Sequence, residues 1–534
     1  MVDLTQLRAE DLEDLPSEAL TQLAARLLAQ VNAQAGELRQ HEQRAERYER
    51  EIKFKDAKLE RITFELARHK AWKFGAKTER MNAMQRQMFE DTGAEDEADL
   101  QAQLDAIRAA QGKAPSADTQ KRAPRREKLA EHLRRIEHRH EPADTTCGCG
   151  QPMQRMGEDV SERLDIIPAE FIVHRHVRGK WVCRCCQTLV QEPVAPHVVD
   201  KGQPTAGLVA HTLVSRFVDH VPYYRQEQIN ARSGVHTPRS TLAGWAGAGG
   251  AALAPLYEAL REFVLKAKVL HADETPVAML DPGAGKTRKA YVWAYARGAF
   301  DALPAVVYDF APGRAARHPI DFLGRWSGTL TCDDYAGYGS VFKLHGRVEA
   351  GCLAHARRKF DELAKSGASP IAAQALQRFA WLYRIEQEVS GASSAQRLAA
   401  RRERSAPLWE QLHLWLRQER GKVPDGGGIA AAIDYSLRRW QALGRFLHDG
   451  DVAIDNNHIE NLMRPWAMGR KAWLFAGSEL AGQRAAMVMS LVQSARLSGH
   501  EPWAYLKDVL ERLLEYPNHR IDELLPHRWT PNVA

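Results

Sequence analysis

The sequence has no long apolar run, few cysteines and an N-terminal segment that lacks the apolar character of a signal peptide, and each of these features argues against a class of protein. No stretch of its 534 residues approaches the roughly 18 apolar residues that a membrane span needs. The N-terminal segment MVDLTQLRAEDLED is acidic and polar, which argues against a secretory signal peptide. Seven cysteines are an odd number, which argues against a disulfide framework. We therefore expect a cytoplasmic protein with no membrane partner.

The charge balance permits a nucleic-acid partner without requiring one. The chain carries 74 Lys and Arg residues against 68 Asp and Glu residues, a formal net charge of +6. Residues 90–120 are acidic and then rich in Gly, Ala, Pro and Ser, which predicts a linker. The basic run that follows, at 121–139, is compatible with contact to a phosphate backbone and equally with an ordinary solvated helix face.

A heptad pattern occupies the N-terminal region. Between residues 20 and 69 there is no proline and one glycine, and apolar residues recur every seven positions. A second track with the same period includes Gln34, His41 and Lys55, which weaken the seam. The pattern predicts a coiled coil and a homo-oligomer, with one long helix packed on its own protein as the alternative. The first track is Val31, Leu38, Ala45, Ile52, Leu59 and Leu66.

Five of the seven cysteines lie within forty residues, in CGCG at 147–150 and CRCCQ at 183–187. A segment of β-like alternation, FIVHRHVRGKWVC, precedes the second group, so a zinc ribbon around a short hairpin is expected. His174 and His176 are either substitute ligands or part of a polar strand face, and Cys185 is expected to be a spectator. The predicted zinc ligands are Cys147, Cys149, Cys183 and Cys186.

The segment 225–247, RQEQINARSGVHTPRSTLAGWAG, has the pattern of a helix-turn-helix. A helical run ends in a Ser-Gly turn, and Thr237 and Pro238 suit the N-cap and first position of a second helix. Arg239 and Ser240 at the start of that helix are candidate DNA contacts. An ordinary helical hairpin remains the alternative.

From residue 263 to 350 the pattern is that of strands separated by Pro and Gly turns. Only GRAARHPIDFLGRW, at 313–326, is helical in character, so a mixed sheet is expected. Two apolar strands end in acid pairs, DE at 273–274 and DD at 333–334, which would place hard oxygen ligands close together if the strands are neighbours. The predicted strands are FVLKAKVLHADET, KAYVWAYAR, PAVVYDFA, SGTLTCDDY and GRVEAGC.

Residues 353–450 are mostly helical in pattern, and IDNNHIENLMRPWAMGRKAWLFAGS follows at 454–478. Asn456 or Asn457 can cap a helix there, and Pro465 should disturb it. The helix carries a Glu among Asn, His and Arg residues, which indicates a polar site that meets an anion. The charged residues of interest are Glu460, Arg464, Arg470 and Lys471.

The motifs HADETPV, CDDYAGYG, GCLAHARRKF and IDNNHIENLMRPWAMGRKAWLFAGS resemble, in this order, the DDE transposases of the insertion sequence 66 family. The likeness extends to GEDVSERLDIIPAEF and LLPHRW and covers nearly the whole chain. It implies an RNase H-like core with a helical insertion, two Mg²⁺ ions (with Mn²⁺ as the alternative ion), and cleavage of element ends followed by strand transfer. It also implies DNA and accessory proteins of the same element as partners, in association with the bacterial nucleoid.

Carried over by position, the resemblance implies Asp273, Asp333 and Glu460 as the catalytic metal ligands. We further expect phosphate contacts from the three basic residues of the last motif. His271 and His355 are expected to be structural, with a place beside the metal ligands as the alternative. Two departures from the family pattern are Asp334, where Gly is common, and the tight spacing of the first cysteine pair.

Three functions remain open at this stage: a transposase, an RNase H-like nuclease that cuts without joining, and an inactive DNA-binding regulator. The fold expected is multidomain α+β. Its parts are an N-terminal coiled-coil region (1–89), a linker (90–120), a basic segment and zinc ribbon (121–200), a helix-turn-helix-like region (201–260), a first part of the catalytic core (261–366), a helical insertion (367–450), the Glu-bearing part of the core (451–490) and a C-terminal helical segment (491–534).

The doublet Asp333-Asp334 raises a choice of ligand. Adjacent residues of a strand point to opposite faces, so both cannot serve one metal pair while the strand stays regular. Leu330 and Cys332 share a face with Asp334, and an apolar face is the poorer place for a ligand. This pattern and the family register both favour Asp333.

Overall fold

The computed structural model describes residue 101 and residues 129–531, apart from 130, 132, 143, 149, 168–169, 200–201, 282–285, 366–368 and 474. The predicted coiled coil, the linker apart from residue 101, and the first part of the basic run lie outside the described residues. All described residues belong to one compact unit. Within them, no helix is both long enough and apolar enough to span a lipid bilayer.

A four-stranded sheet forms the N-terminal part of the described chain. Its strand order is β1-β3-β2, with β4 pairing with β3 as well; β1 runs parallel to β3 and β2 antiparallel to it. The hairpin of β2 and β3 is long, with strands of 14 and 13 residues, where the sequence predicted a short one. The strands are β1 (Arg134–His140), β2 (Gln154–Ile167), β3 (Glu170–Val182) and β4 (Leu189–Gln191).

Three helices follow, and they confirm the predicted helix, Gly turn and second helix. Gly234 adopts φ 76°, a conformation that residues with a Cβ rarely adopt. The last helix begins at Arg239, one residue later than predicted, because Pro238 has extended backbone angles (φ −55°, ψ 142°) and occupies the N-cap position. The helices are α1 (Ala206–Phe217), α2 (Tyr223–Arg232) and α3 (Arg239–Val264).

The central sheet has five strands in the order β7-β6-β5-β8-β9. The pairs β5–β6 and β6–β7 are antiparallel, whereas β5–β8 and β8–β9 are parallel, so the predicted mixed sheet is confirmed. Two short helices, α4 and α5, flank β8. The elements are β5 (Val269–Asp281), β6 (Lys286–Arg297), β7 (Val306–Ala311), α4 (Arg317–Leu323), β8 (Gly328–Cys332), α5 (Ala336–Val341) and β9 (Arg347–Gly351).

The edge strand β7 is covered by a helix, α13 (Glu479–Leu497). Ser490 Oγ accepts a hydrogen bond from the Tyr308 amide at 2.8 Å, and Ser494 Oγ accepts one from the Val306 amide at 3.0 Å. These serines satisfy backbone groups that a sheet edge otherwise leaves unpaired. The helix thereby closes one side of the core sheet.

Helices fill the region after β9, as predicted, and have a hydrophobic core of their own. The fully buried Arg401 organises that core: its guanidinium pairs with Glu386 and donates to the carbonyls of Phe446, Asp449 and Val452. The elements are α6 (Leu353–Lys365), α7 (Pro370–Glu388), α8 (Ser394–Ala400), a π-helical turn (Arg401–Ser405), α9 (Ala406–Arg420), α10 (Gly428–Arg438), α11 (Trp440–Leu443) and a 3-10 turn (Arg445–Leu447).

The chain then returns to the central sheet through α12 (Asn457–Trp473). The helix continues through Pro465, so the predicted disturbance is wrong. Proline removes one hydrogen bond of a helix, but contacts with β5 near both ends of α12 hold this one in place. After α13, the described chain ends with α14 (Pro502–Arg512) and a 3-10 segment (Asn518–Leu524).

Candidate functional site

The register of two parallel strands brings the first two acids level with each other. Leu270 of β5 pairs with Leu330 of β8, and His271 pairs with Thr331. Extended by two residues, this register brings Asp273 level with Asp333, and the charge of Asp333 acts on the Asp273 carboxyl. Asp333 directly follows the last residue of β8, so neighbouring strands hold both carboxylates at one position along the sheet.

The first acid pair does not end its strand, contrary to the prediction. β5 continues to Asp281, and Asp273 pairs with Ala294 of β6. Acidic residues often start turns, which favours the end of a strand at such a pair. Pairing with β6 overrides that preference.

Asn456 joins the start of α12 to β5. Its side-chain amide donates to the Ala272 carbonyl at 2.8 Å, and its side-chain oxygen lies 2.8 Å from His271 Nδ1. Asn456 was considered as a helix cap, but its side chain is buried and bound to the sheet. Glu460, in the first turn of α12, is thereby brought to the edge where Asp273 and Asp333 lie.

The neighbouring acids act electrostatically on Asp273. Burial, with further contributions from Glu274, Asp333 and Glu460, raises the pKa of Asp273 to about 7. Several carboxylates sharing one partly buried site repel each other when ionised. A divalent cation would relieve this repulsion, and carboxylate oxygens are the ligands that hard cations prefer.

Glu274 is directed into the protein and held there. Its side chain is 1% exposed, and it accepts hydrogen bonds from Arg314 Nε at 2.8 Å and from the Tyr338 hydroxyl at 2.9 Å. Burial, the largest cause, raises its pKa. Glu274 therefore secures β5 to the segment around β8, and its oxygens are already occupied.

The two aspartates of the doublet have different partners. Asp333 Oδ1 accepts a hydrogen bond from the Tyr335 amide at 2.9 Å. Asp334 pairs with two arginines of the helical region, Arg439 at 2.6 Å and Arg438 at 3.2 Å. Asp334 thus anchors the helical region to the sheet, while Asp333 takes the position level with Asp273.

A cavity of about 490 Å³ opens beside these residues. Basic side chains from three parts of the chain surround its acids, so it combines groups that suit a metal ion with groups that suit a phosphate. Arg358 and Lys359 were not singled out in the sequence, although the run of basic residues in HARRK is a visible signal. The charged and histidine lining is Arg314, Asp333, Asp334, His355, Arg358, Lys359, Glu362 and Arg438.

The two oxygens of Glu460 have different surroundings. Oε2 lies 3.3 Å from Arg358 Nη2. Oε1 lies 3.7 Å from His355 Nδ1, and both of these atoms are buried without a hydrogen-bond partner. An orphaned carboxylate oxygen at this edge of the sheet fits a site for a cation. His271 Nδ1 is bonded to Asn456, whereas its Nε2 is also buried without a hydrogen-bond partner; burial lowers the pKa of this ring to about 4, so it stays neutral.

The predicted DNA contacts of α12 differ in exposure. Arg464 and Lys471 are exposed. Arg470 is half-buried and donates to the Thr275 hydroxyl and the Pro276 carbonyl at 3.2 and 3.1 Å, which ties the helix to β5. The other two predicted contacts, Arg239 and Ser240, lie far from α12 in the sequence, in the first turn of α3, where Ser240 is exposed.

Three of the predicted zinc ligands come together. The sulfurs of Cys147, Cys183 and Cys186 all lie within 4.8 Å of one another. Hydrogen bonds, first from the Cys147 thiol and then from Thr188, lower the pKa of Cys186 to about 6, which favours the thiolate that binds zinc. Cys149 lies outside the described residues, and Cys185 is exposed and outside this cluster. The donor set fits zinc.

His174 and His176 lie in a stack of imidazoles and not in the sulfur cluster. The ring centroid of His138 lies 5.1 Å from the centroids of His174 and His176. The centroid of His140 lies 5.2 Å from that of His176. The sequence reasoning missed this stack; the signal was the HRH tripeptide in both β1 and β3. Alternation on paired strands places all four rings on one face.

Four family models match the chain. The model described as "Transposase IS66 family" matches residues 201–484, and "zinc-finger binding domain of transposase IS66" matches residues 144–187. "IS66 C-terminal element" matches residues 490–527, and "Transposase C of IS166 homeodomain" matches residues 61–137. The first of these alone covers more than half of the chain.

Similar proteins come from Sinorhizobium fredii (strain NBRC 101917 / NGR234) and are themselves uncharacterized. Protein y4jD is 37% identical over 75% of this chain and 81% of its own length. Protein y4qI is 38% identical over 78% of this chain and 80% of its own length. Protein y4hP is 35% identical over 72% of this chain and 73% of its own length. Together with the matched models, these likenesses show that the chain belongs to the IS66 family of transposases.

Proposed function

We propose that this protein cuts DNA at the ends of an insertion sequence and transfers the freed strand to a target, with two divalent cations held by Asp273, Asp333 and Glu460. The observation that carries the proposal is the convergence of these acids. Asp273 lies on β5, Asp333 directly follows the adjacent parallel strand β8, and the charges of Asp333 and Glu460 both act on the Asp273 carboxyl. An RNase H-like core is part of the proposal, supported by the mixed sheet with its acids on neighbouring inner strands.

The donor set fits Mg²⁺ or Mn²⁺, since it consists of carboxylate oxygens, one of them buried and unpaired. When bound, two such ions activate a water or a DNA 3′-hydroxyl for attack on phosphorus and stabilise the departing oxygen. The register of β5 with β8 positions the carboxylates of Asp273 and Asp333. Glu460 approaches from α12, which Asn456 and Arg470 fasten to β5.

The basic groups around the cavity bind and orient the DNA backbone in this proposal. Arg358 and Lys359 line the cavity beside the acids, and Arg464 and Lys471 are exposed on α12. Each phosphate contact adds affinity that is independent of sequence and falls as salt rises. Replacement of Arg464 or Lys471 by Ala should therefore weaken binding to all DNA sequences and reduce its salt dependence.

The remaining parts of the chain supply DNA binding and assembly. Zinc held by the cysteine cluster would stiffen the ribbon, with Cys149 as the proposed fourth ligand. The first turn of α3, with Arg239 and Ser240, is proposed to contact the element end. Self-association through the N-terminal heptads would bring two such ends together, and accessory proteins of the same element are proposed partners.

Replacement of single acids tests the proposal. The assay measures Mg²⁺-dependent cleavage and joining of DNA that carries the element's ends. Asp333→Asn and Glu460→Gln should each reduce cleavage by about 10³-fold or more, because each removes a ligand of the metal pair. Asp334→Asn is the matched control; it removes an ion pair with the helical region and should retain activity within about tenfold.

Each outcome separates the candidate functions. Equal cleavage by Asp333→Asn and wild type would contradict the catalytic assignment. Cleavage without joined products would identify a nuclease that cuts without strand transfer. Specific binding of the end DNA with no cleavage in any variant would identify a DNA-binding regulator.

A further inference from the structure

Two buried polar atoms face each other at the edge of the proposed active site. His355 Nδ1 and Glu460 Oε1 lie 3.7 Å apart, and neither has a hydrogen-bond partner. This separation is too long for a hydrogen bond. Buried polar atoms without partners are costly, and each one in a native protein calls for an explanation.

One ion between the two atoms would satisfy both. Ligand bonds of about 2.0–2.2 Å place neighbouring ligand atoms of one transition-metal ion about 3–3.5 Å apart. The observed separation is close to that range, so a small shift of either side chain suffices. The other oxygen of Glu460, Oε2, bonds to Arg358, so Oε1 is the oxygen that is available on the side facing His355.

The backbone around both residues is held firmly. The Leu353 amide, at the start of α6, donates to the Ile454 carbonyl at 3.1 Å, just before α12. The Asn456 backbone amide donates a hydrogen bond to Cys352 Sγ at 3.2 Å. These two bonds join the starts of α6 and α12, so His355 and Glu460, each in the first turn of its helix, stay face to face.

Cys352 is a positioning residue in this arrangement. Its sulfur lies within 4.8 Å of the ligand atoms of His355 and Glu460. The sulfur is occupied as the acceptor of the Asn456 amide, the bond that joins the two helix starts. The two atoms left without a partner belong to the imidazole and the carboxylate, which form the ligand pair.

We propose that His355 is a metal ligand that shares one of the two active-site cations with Glu460. The inference rests on the proposed function, since it assigns an additional ligand to the same site. An imidazole nitrogen suits transition-metal ions better than Mg²⁺, which prefers oxygen. The site around Glu460 therefore favours Mn²⁺ over Mg²⁺ more strongly than three carboxylates alone would.

Direct metal binding by the full-length, zinc-loaded protein without DNA tests this ligand. Mn²⁺ and Mg²⁺ are each titrated calorimetrically into wild type, His355→Ala and His355→Asp, with the exposed His345→Ala as the matched control. His355→Ala should lose about tenfold or more in Mn²⁺ affinity, while His345→Ala should match wild type. His355→Asp should regain binding with its preference moved toward Mg²⁺, because an oxygen replaces the nitrogen.

A merely structural histidine would give a different pattern. Unchanged Mn²⁺ affinity in folded His355→Ala would overturn the inference, and so would an unchanged ion preference in His355→Asp. Thermal unfolding without added Mn²⁺ or Mg²⁺ checks the fold of each variant; if His355→Ala is unfolded, the ion preference of His355→Asp decides. If Asp333→Asn is inactive while His355→Ala binds Mn²⁺ normally, only this inference fails. Full cleavage by Asp333→Asn would refute the proposed function itself.

Discussion

The sulfur cluster of the ribbon and the carboxylate cluster of the core draw their residues from very different distances along the chain. Cys183 and Cys186 belong to one turn after β3, and Cys147 precedes β2 at the same end of the hairpin. One hairpin therefore assembles the described sulfurs. The spacing of two residues between the second pair of cysteines is a local signal for such a site.

The carboxylates come from three separate elements. Asp273 and Asp333 are 60 residues apart (333 − 273), and Glu460 follows after a further 127 (460 − 333). Only the register of β5 with β8 and the docking of α12 bring them together. A site of this kind depends on the register and docking of distant elements, whereas the described sulfurs are brought together at one end of a single hairpin.

The largest effect is expected for a substitution in the sulfur cluster, and it should be confined to the ribbon. Cys183→Ser should abolish zinc binding and unfold the hairpin, because structural zinc contributes on the order of 10 kcal/mol to folding in small domains. The central sheet should still unfold cooperatively, since the sulfur cluster lies outside the hydrophobic core that the central sheet shares with the ends of β2 and β3. Zinc content per chain and limited proteolysis within 134–191 measure the effect.

Cys185→Ser is the control for this prediction, because Cys185 is exposed and outside the sulfur cluster. It should keep its zinc and its resistance to protease. Loss of the central sheet's cooperative unfolding in Cys183→Ser would show that the two regions are more strongly coupled than we infer.

A smaller effect is expected where the core assembles its carboxylates. Asn456→Ala leaves the Ala272 carbonyl and the His271 ring without their buried partner, which should cost about 2–4 kcal/mol. Glu460 should lose its fixed approach to the sheet, so DNA cleavage should fall more than the loss of stability explains. Chemical denaturation and the cleavage assay measure the two effects.

The exposed Asn457 offers the matched control. Asn457→Ala should change stability by less than about 1 kcal/mol and leave cleavage near the wild-type rate. If Asn456→Ala cleaves at the wild-type rate, α12 does not depend on this bond to position Glu460.

The smallest expected effect concerns the imidazole stack of the ribbon. Burial, with added repulsion from neighbouring His138 and His140, lowers the pKa of His176 to about 4 from its usual 6.5. Between these pH values the unfolded chain binds more protons, so stability falls as the pH drops from about 6.5 to about 4. Glutamine does not titrate, so His176→Gln should remove this loss of stability. The expected difference is only about 1 kcal/mol, because the ring is partly exposed to solvent.

Thermal unfolding of the ribbon between pH 7 and pH 5 measures that difference. Acid also protonates the cysteine ligands, so the comparison is between wild type and variant at each pH. An identical pH dependence in both would show that the stack tolerates protonation. His345→Gln, which changes an exposed histidine outside the stack, controls for the loss of one imidazole.

Much of the fold could be predicted because its signals are local. Apolar runs between Pro and Gly turns located all five strands of the central sheet, and Gly234 located the turn between α2 and α3. Predictions failed where a tertiary contact outweighed a local preference. β6 pairs with β5 beyond Asp273, and contacts with β5 carry α12 through Pro465.

The sequence by itself determined which chemical groups are present and the type of most elements they occupy. Acidic pairs, the C-x2-C spacing and the family motifs are all visible without a structure. Only the tertiary structure decided which groups meet: Asp333 lies level with Asp273 while Asp334 pairs with arginines, and His355 faces Glu460. The physical reason is that periodicity and side-chain chemistry act over a few residues. The register of β5 with β8 instead joins residues 60 positions apart (329 − 269), and α12 docks on β5 across 184 positions (456 − 272).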